Sequence, residues 1–323
     1  MNITKILLVV ACIACIGAAT TAGYADTPTP APASSASPQP GASATTVPTL
    51  AQGMIAFYNE DWPAAISTFQ QIVNAHPHNT MAWFYLFDGY IKRNDLRTLS
   101  YNLEEHAIEN KTDAMAQAVL GLDYVVRYMT DQQVAMLDEA QKTLEAALTL
   151  DKTNNVAQTG LGLVYYNRSM MARAKGHFLE ALRDNPDDLM ALERAGEITM
   201  DDEKRPQEAL KFFEKILALA PTYPDGYFYM GSANYSMQNW DQCISYMDKV
   251  IALDPHGVTQ GFHAPMLKGK AQLQKHDYTG AKASFQLMLT ISPNSEEARY
   301  LLKRAEDRNA STAPVFIKKG SAH

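Results

Sequence analysis

Three groups of side chains carry the chemistry for a site. His76-Pro77-His78 sets two imidazoles on either side of a proline. Glu193, Glu197 and Asp201 recur at four-residue steps, and Cys243 is a lone thiol in the body of the chain. Two imidazoles supply half of a typical metal shell. Here the proline turns them apart and no third ligand follows nearby, so the pair reads as a surface turn. The thiol has no neighbouring cation to lower its pKa, so it reads as a small buried apolar residue. No G-x-S-x-G, H-E-x-x-H or G-x-x-x-x-G-K-[ST] sequence occurs. The chain is therefore expected to be no enzyme, to bind no metal and to need no cofactor. The three carboxylates are the informative set. At i, i+4 and i+8 on a helix they share one face, an acidic stripe able to receive Lys or Arg from a partner.

Charge and composition narrow the class of partner. Hydrophobic residues make up 46% and charged residues 20%, enough for a sizeable buried core. The net charge of −7 offers no basic footprint, which argues against nucleic acid.

The first residues read as an export leader. Lys5 gives a positive start, residues 6–19 are apolar, and Gly23-Tyr24-Ala25 places small residues at a cleavage site before Asp26. The apolar run is short for a membrane span, which needs about 20 residues. Cleavage after Ala25 would leave a periplasmic or secreted protein with no stable membrane span. Two alternatives stand beside it: an uncleaved leader acting as an anchor, and lipidation of Cys12, which follows Val9-Val10-Ala11. Residues 26–48 are almost entirely Thr, Pro, Ala, Ser and Gly. Such a segment buries too little to offset its ordering entropy and is expected to be a disordered spacer.

From Thr49 a period takes over. It is cleanest in Leu161-Gly162-Leu163-Val164-Tyr165, followed by Ala174, Phe178 and Pro186. Small residues recur where two helices must approach, a large residue fills the space beside them, and a proline ends the second helix. Gly53, Ala65, Phe69 and Pro77 repeat the pattern, as do Gly196, Ala209, Phe213 and Pro221. So do Gly231, Cys243, Met247 and Pro255, and Gly269, Ala281, Phe285 and Pro293. A diverged copy puts Phe87 and Leu99 at the two small positions, and another stretches the Gly121-to-Ala140 interval by seven residues relative to Gly162-to-Ala174. That excess is expected as two extra helical turns or a longer loop around Thr130 to Gln133.

The pattern resembles the tetratricopeptide repeat, a helix–turn–helix unit of about 34 residues. The resemblance implies an all-α, right-handed α-solenoid of about seven repeats over residues 49–308. Glu296 to Arg308 would form a polar capping helix, and residues 309–323 a disordered tail. It also implies a concave groove lined by the first helix of each repeat, which usually holds a peptide or an extended segment of a partner protein. With the glycine of each first helix numbered 8, positions 5, 9, 12 and 13 face that groove. Phe84, Tyr166, Glu193, Glu197, Asp201, Phe228 and Tyr235 occupy such positions. No Asn stands at position 9, so the basic-and-Asn clamp that some repeat proteins use for C-terminal carboxylates is not expected. The implied role is an exported scaffold that binds a protein or peptide, in bacterial envelope assembly. The alternative is an accessory subunit of a polysaccharide- or peptidoglycan-acting enzyme complex.

Overall fold

The computed structural model describes residues 47–258 and 260–312. The expected leader, nearly all of the spacer, and the tail beyond Thr312 lie outside the described residues. Seven helix pairs follow one another. They are α1 (Leu50–Tyr58) with α2 (Trp62–Ala75), α3 (Thr80–Lys92) with α4 (Leu96–Glu109), and α5 (Ala114–Asp131) with α6 (Val134–Leu150). Next come α7 (Asn155–Asn167) with α8 (Met171–Asp184), and α9 (Leu189–Asp201) with α10 (Pro206–Leu219). The last pairs are α11 (Pro224–Ser236) with α12 (Trp240–Leu253), and α13 (Ala264–Gln274) with α14 (Tyr278–Ile291). The cap, α15 (Glu296–Thr312), runs past the boundary expected at Arg308.

Local chemistry fixes these boundaries. Thr49 starts α1 with a reciprocal capping box to Gln52. Asp61, Asn79, Asp113, Asn154, Asp188 and Asp277 each accept a backbone N–H in the first turn of their helices. Between the helices of every pair stands one residue with positive φ: Glu60, Asn94, Gln132, Ser169, Lys204, Gln238 and His276. This left-handed residue stops the first helix and aims the chain back along it. In the third pair the surplus residues are helical: α5 has 18 residues and α6 has 17, against 13 and 14 in α7 and α8.

Within a pair, packing follows the period. Phe69, Phe178, Phe213 and Phe285 are fully buried. The Phe213 ring lies where a Cβ on Gly196 would sit 2.5 Å away, so glycine is what lets the two helices close. Ala174 has no exposed surface. Ala174→Leu should overpack the α7–α8 contact and lower stability by about 1–3 kcal/mol. A thermal melt identical to wild type would refute that register.

The first helices α5, α7, α9, α11 and α13 touch in series and form a continuous inner layer, with their partners outside. The molecule is a right-handed α-solenoid, and its N-terminal end departs from regular stacking. Helix α3 packs closely on α2 but only loosely on its own partner α4. Phe87 and Leu99 explain this, since bulky residues at both close-approach positions hold α3 and α4 apart. Helix α3 instead reaches α5 and α9 of the inner layer. Stacked helices lie about 8–10 Å apart, so a helix of 13 residues, roughly 20 Å long, crosses two or three of them.

A partly occupied groove

Helix α3 is fastened to the inner layer by a buried polar network. The Asp188 carboxylate is its centre. Its Oδ2 accepts hydrogen bonds from Thr80 (2.9 Å), Asn155 (3.0 Å) and Thr159 (2.9 Å). Its Oδ1 accepts the Ala191 N–H (3.2 Å), so the same side chain caps α9. Asn155 also donates to the His78 carbonyl (3.1 Å) and meets His78 Nδ1 at 2.8 Å. Thr80, Asn155, Thr159 and Asp188 are all almost fully buried. Burial raises the Asp188 carboxyl pKa, and the hydrogen bonds from Asn155, Ala191, Thr80 and Thr159 pull it back. The His76–His78 turn has both histidines exposed, at the surface as expected, and borders this seam through the His78 contacts to Asn155. Its imidazoles line a cavity of about 260 Å³ together with Asp187 and Asp188.

An aromatic contact continues the seam. Tyr58 and Tyr85 meet through their hydroxyls at 2.7 Å, and Tyr85 stacks on Phe69 at 5.0 Å. Both rings are buried. Burial, then the neighbouring Tyr85 and Asp225, push the Tyr58 phenol far above its ordinary pKa. The end of α1 therefore lies within electrostatic reach of the start of α11.

The candidate groove residues divide into distinct settings. Glu193 is buried and fully engaged: it accepts from Tyr223 (2.5 Å) and Tyr229 (3.2 Å) and pairs with Arg194 at 3.1 Å. Burial raises its pKa, opposed by Arg194 and the Tyr223 hydroxyl. Glu197 accepts from Tyr166 (2.7 Å) and pairs with Arg194 (2.7 Å), whose guanidinium lies 5.7 Å from the Tyr166 ring centre. Burial and then the Glu197 charge raise the Tyr166 phenol pKa. Tyr166, Glu193 and Glu197 are therefore one cluster, organised by Arg194. Asp201 is the member of the acidic stripe that reaches solvent. Phe84 is half-buried on α3 and packs edge-on to Phe87 (6.5 Å). Phe228 lies 6.0 Å from Tyr229 and 6.4 Å from His263, and Tyr235 is edge-on to Trp240 at 5.1 Å. Cys243 is fully buried, and burial pushes its thiol pKa up to about 12, too high for a nucleophilic thiolate.

The open part of the inner face is at the C-terminal end. A cavity of about 310 Å³ is lined there by Tyr235, Lys270, Leu273, Leu301, Arg304 and Arg308, among others. Sequence reasoning identified Tyr235 as groove-facing, and missed the two arginines. Carrying the register one repeat further, into the cap, places them at positions 9 and 13. The Asp188 latch had no such signal, because its members come from three separate repeats.

Comparison with known proteins agrees with this architecture. One tetratricopeptide-repeat family model matches residues 50–86 and 159–224, and a second matches residues 225–257. The chain is similar to the peroxisomal targeting signal receptor of Eremothecium gossypii, with 23% identity over 216 residues. That match covers 67% of this chain and 36% of the receptor, so the chain spans about a third of the receptor's length. Among solved structures it is similar to the APC/C hetero-tetramer Cut9-Hcn1, with TM-score 0.59, 15% identity, and coverage of 79% of this chain and 53% of that one. It is also similar to Pseudomonas aeruginosa pilF, with TM-score 0.53, 21% identity, and coverage of 71% and 98%. At these identities the structural likeness concerns the fold alone.

Proposed function

Because the chain is a tetratricopeptide-repeat protein, we propose that it is a scaffold that holds an extended segment of a partner protein on the C-terminal half of its inner face. Repeats of this kind typically serve as non-enzymatic scaffolds. The observation that carries the reading is the division of the inner face: α3 covers its N-terminal stretch, and an open cavity is left between α11, α13 and α15. Phe228 and Tyr235 flank the open stretch as half-buried aromatics, a side-chain type enriched in protein interfaces. The acidic stripe contributes less than its spacing implies, since Glu193 is satisfied from within.

The place of action is part of the same proposal. Lys5, the apolar run over 6–19 and the small residues before Asp26 support export, and the Pro- and Ala-rich spacer suits a domain held off a membrane. Among the described residues no helix is long and apolar enough to cross a membrane. The working assignment is a scaffold in bacterial envelope assembly. Combined Phe228→Ala and Tyr235→Ala should abolish capture of a defined envelope protein that the wild type retrieves. Equal capture by the variant would overturn the groove assignment. Mass spectrometry of the exported protein reads the leader directly, with cleavage after Ala25 expected.

A further inference from the structure

The C-terminal cavity has a chemistry of its own. Its floor is apolar, from Leu273, Leu301 and the Tyr235 ring, and its cations come from two helices: Lys270 on α13, and Arg304 and Arg308 on α15. No Asp or Glu lines it, although the whole chain carries −7. The acids nearby sit on the rim. Glu297, 59% exposed, pairs with Lys270 at 2.7 Å, and Asp241 pairs with Lys275. His276 meets the Tyr278 hydroxyl at 3.0 Å. The two arginines are one helical turn apart, so their guanidinium groups share a face. Lys270 lines the same cavity from a second helix, α13. Three cations spread along one trough match several carboxylates in a row better than a single anion. A helix that closes a solenoid needs a polar outer face, and Arg304 and Arg308 do more than supply one, since they line a cavity together with Leu273 and Leu301.

We infer that this trough binds an acidic segment of a partner protein, with carboxylates on Lys270, Arg304 and Arg308 and an apolar side chain on Leu273 and Leu301. The inference rests on the scaffold reading and adds the chemistry of the partner. Arg–carboxylate pairs are bidentate and strong for their class, and the contacts are screened as ionic strength rises.

The test is fluorescence anisotropy on the full chain, with a labelled, C-terminally amidated peptide rich in Glu with interspersed Leu. Its Gln-for-Glu counterpart is the neutral control. The acidic peptide should bind and the neutral one should not. Combined Arg304→Glu and Arg308→Glu should weaken binding by about tenfold or more. Lys303→Glu reverses a charge on an exposed residue of the same helix that does not line the trough. It should change binding by less than about twofold, as a solvent-screened charge does. Because all three residues are exposed, the variants should melt as the wild type does, and circular dichroism checks this. The assignment is overturned if the two peptides bind alike, or if Lys303→Glu weakens binding as much as the double reversal. It is also overturned if a free C-terminal carboxylate is required. Should the arginine reversal leave partner capture intact while Phe228→Ala with Tyr235→Ala abolishes it, the trough fails and the scaffold stands. Should neither variant alter capture while the acidic peptide still discriminates, the scaffold reading fails on its own.

Discussion

Asp188→Ala is expected to cost about 3 kcal/mol of stability and to release the N-terminal helices from the inner face. The substitution strands three buried donors, on Thr80, Asn155 and Thr159, each worth roughly 1–3 kcal/mol when left unpaired. It also removes the side-chain cap of α9, typically about 1 kcal/mol. Relief of the burial penalty on the carboxylate offsets part of this sum. Asp188→Asn should lose most of the same stability. An amide keeps one acceptor oxygen but turns an NH2 towards donors. Urea unfolding measures the loss, and trypsin measures its location. Lys92 and Arg93 stand at the end of α3, beside the left-handed Asn94. Cleavage there should accelerate in the variant before any global unfolding. Stability within about 1 kcal/mol of wild type, with unchanged trypsin resistance, would show that the network does not hold α3.

The second large effect is a dependence on pH. The Asp123 side chain is fully buried on α5. Ser100 donates to its Oδ1 at 2.6 Å, while Oδ2 receives no hydrogen bond and lies 3.6 Å from Arg127. Glu104, which pairs with Arg127 at 2.6 Å, adds a repelling charge. Burial dominates and raises the Asp123 pKa from 3.8 to about 6, against the opposing pull of Ser100 and Arg127. The protonated form is thus favoured by folding. Its stabilising contribution is complete below pH 4 and is lost as pH rises through 6. The swing is on the order of 3 kcal/mol, from roughly two pKa units at 1.36 kcal/mol each. Asp123→Asn should remove it. The stability difference between wild type and variant should be small at pH 4, and at pH 7 the variant should be the more stable. Denaturant titrations at the two pH values decide the matter, and a pH-independent difference would contradict the assignment. Asp88, Asp188 and Glu193 are raised by burial as well, so the pH profile of wild type alone does not isolate Asp123.

The repeat architecture was legible in the sequence because its determinants are local. Gly162, Ala174, Phe178 and Pro186 act within one helix pair, so their spacing alone carries the geometry. The extra length of the third pair was legible too, but not its form: seven residues fit two helical turns or a longer loop, and the structure makes them helix. The turns were less legible. Glycine or asparagine advertises a left-handed residue, yet six of the seven positions carry other side chains, such as Glu60 and Lys204. The seating of α3 was not legible at all. Phe87 and Leu99 marked a departure from the pattern but not where the displaced helix would go. Its destination depends on Asn155, Thr159 and Asp188, polar residues that read singly as caps or solvent-facing positions. The acidic stripe failed as a simple surface reading for a related reason. Periodicity put Glu193 on one face with Glu197 and Asp201, but Tyr223 and Tyr229, which take up its oxygens, belong to the next repeat.

The hydrogen bond between Thr80 and Asp188 joins residues 108 positions apart. In an ordinary array each unit contacts only its neighbours, so unfolding can begin at an end and travel. Here the first two units are tied to the fifth, and one buried apolar cluster runs unbroken from Met54 to Ala233. Smaller apolar clusters around Met247 and around Phe285 follow it, the first joined to it by the half-buried Phe228 and Tyr246. That latch closes most of the array into a ring-like cooperative block with high contact order, which folds more slowly than a row of local contacts. The units that carry Lys270, Arg304 and Arg308 lie beyond the latch and are held to the block by nearest-neighbour stacking through α11 and α12, so fraying would begin at that end.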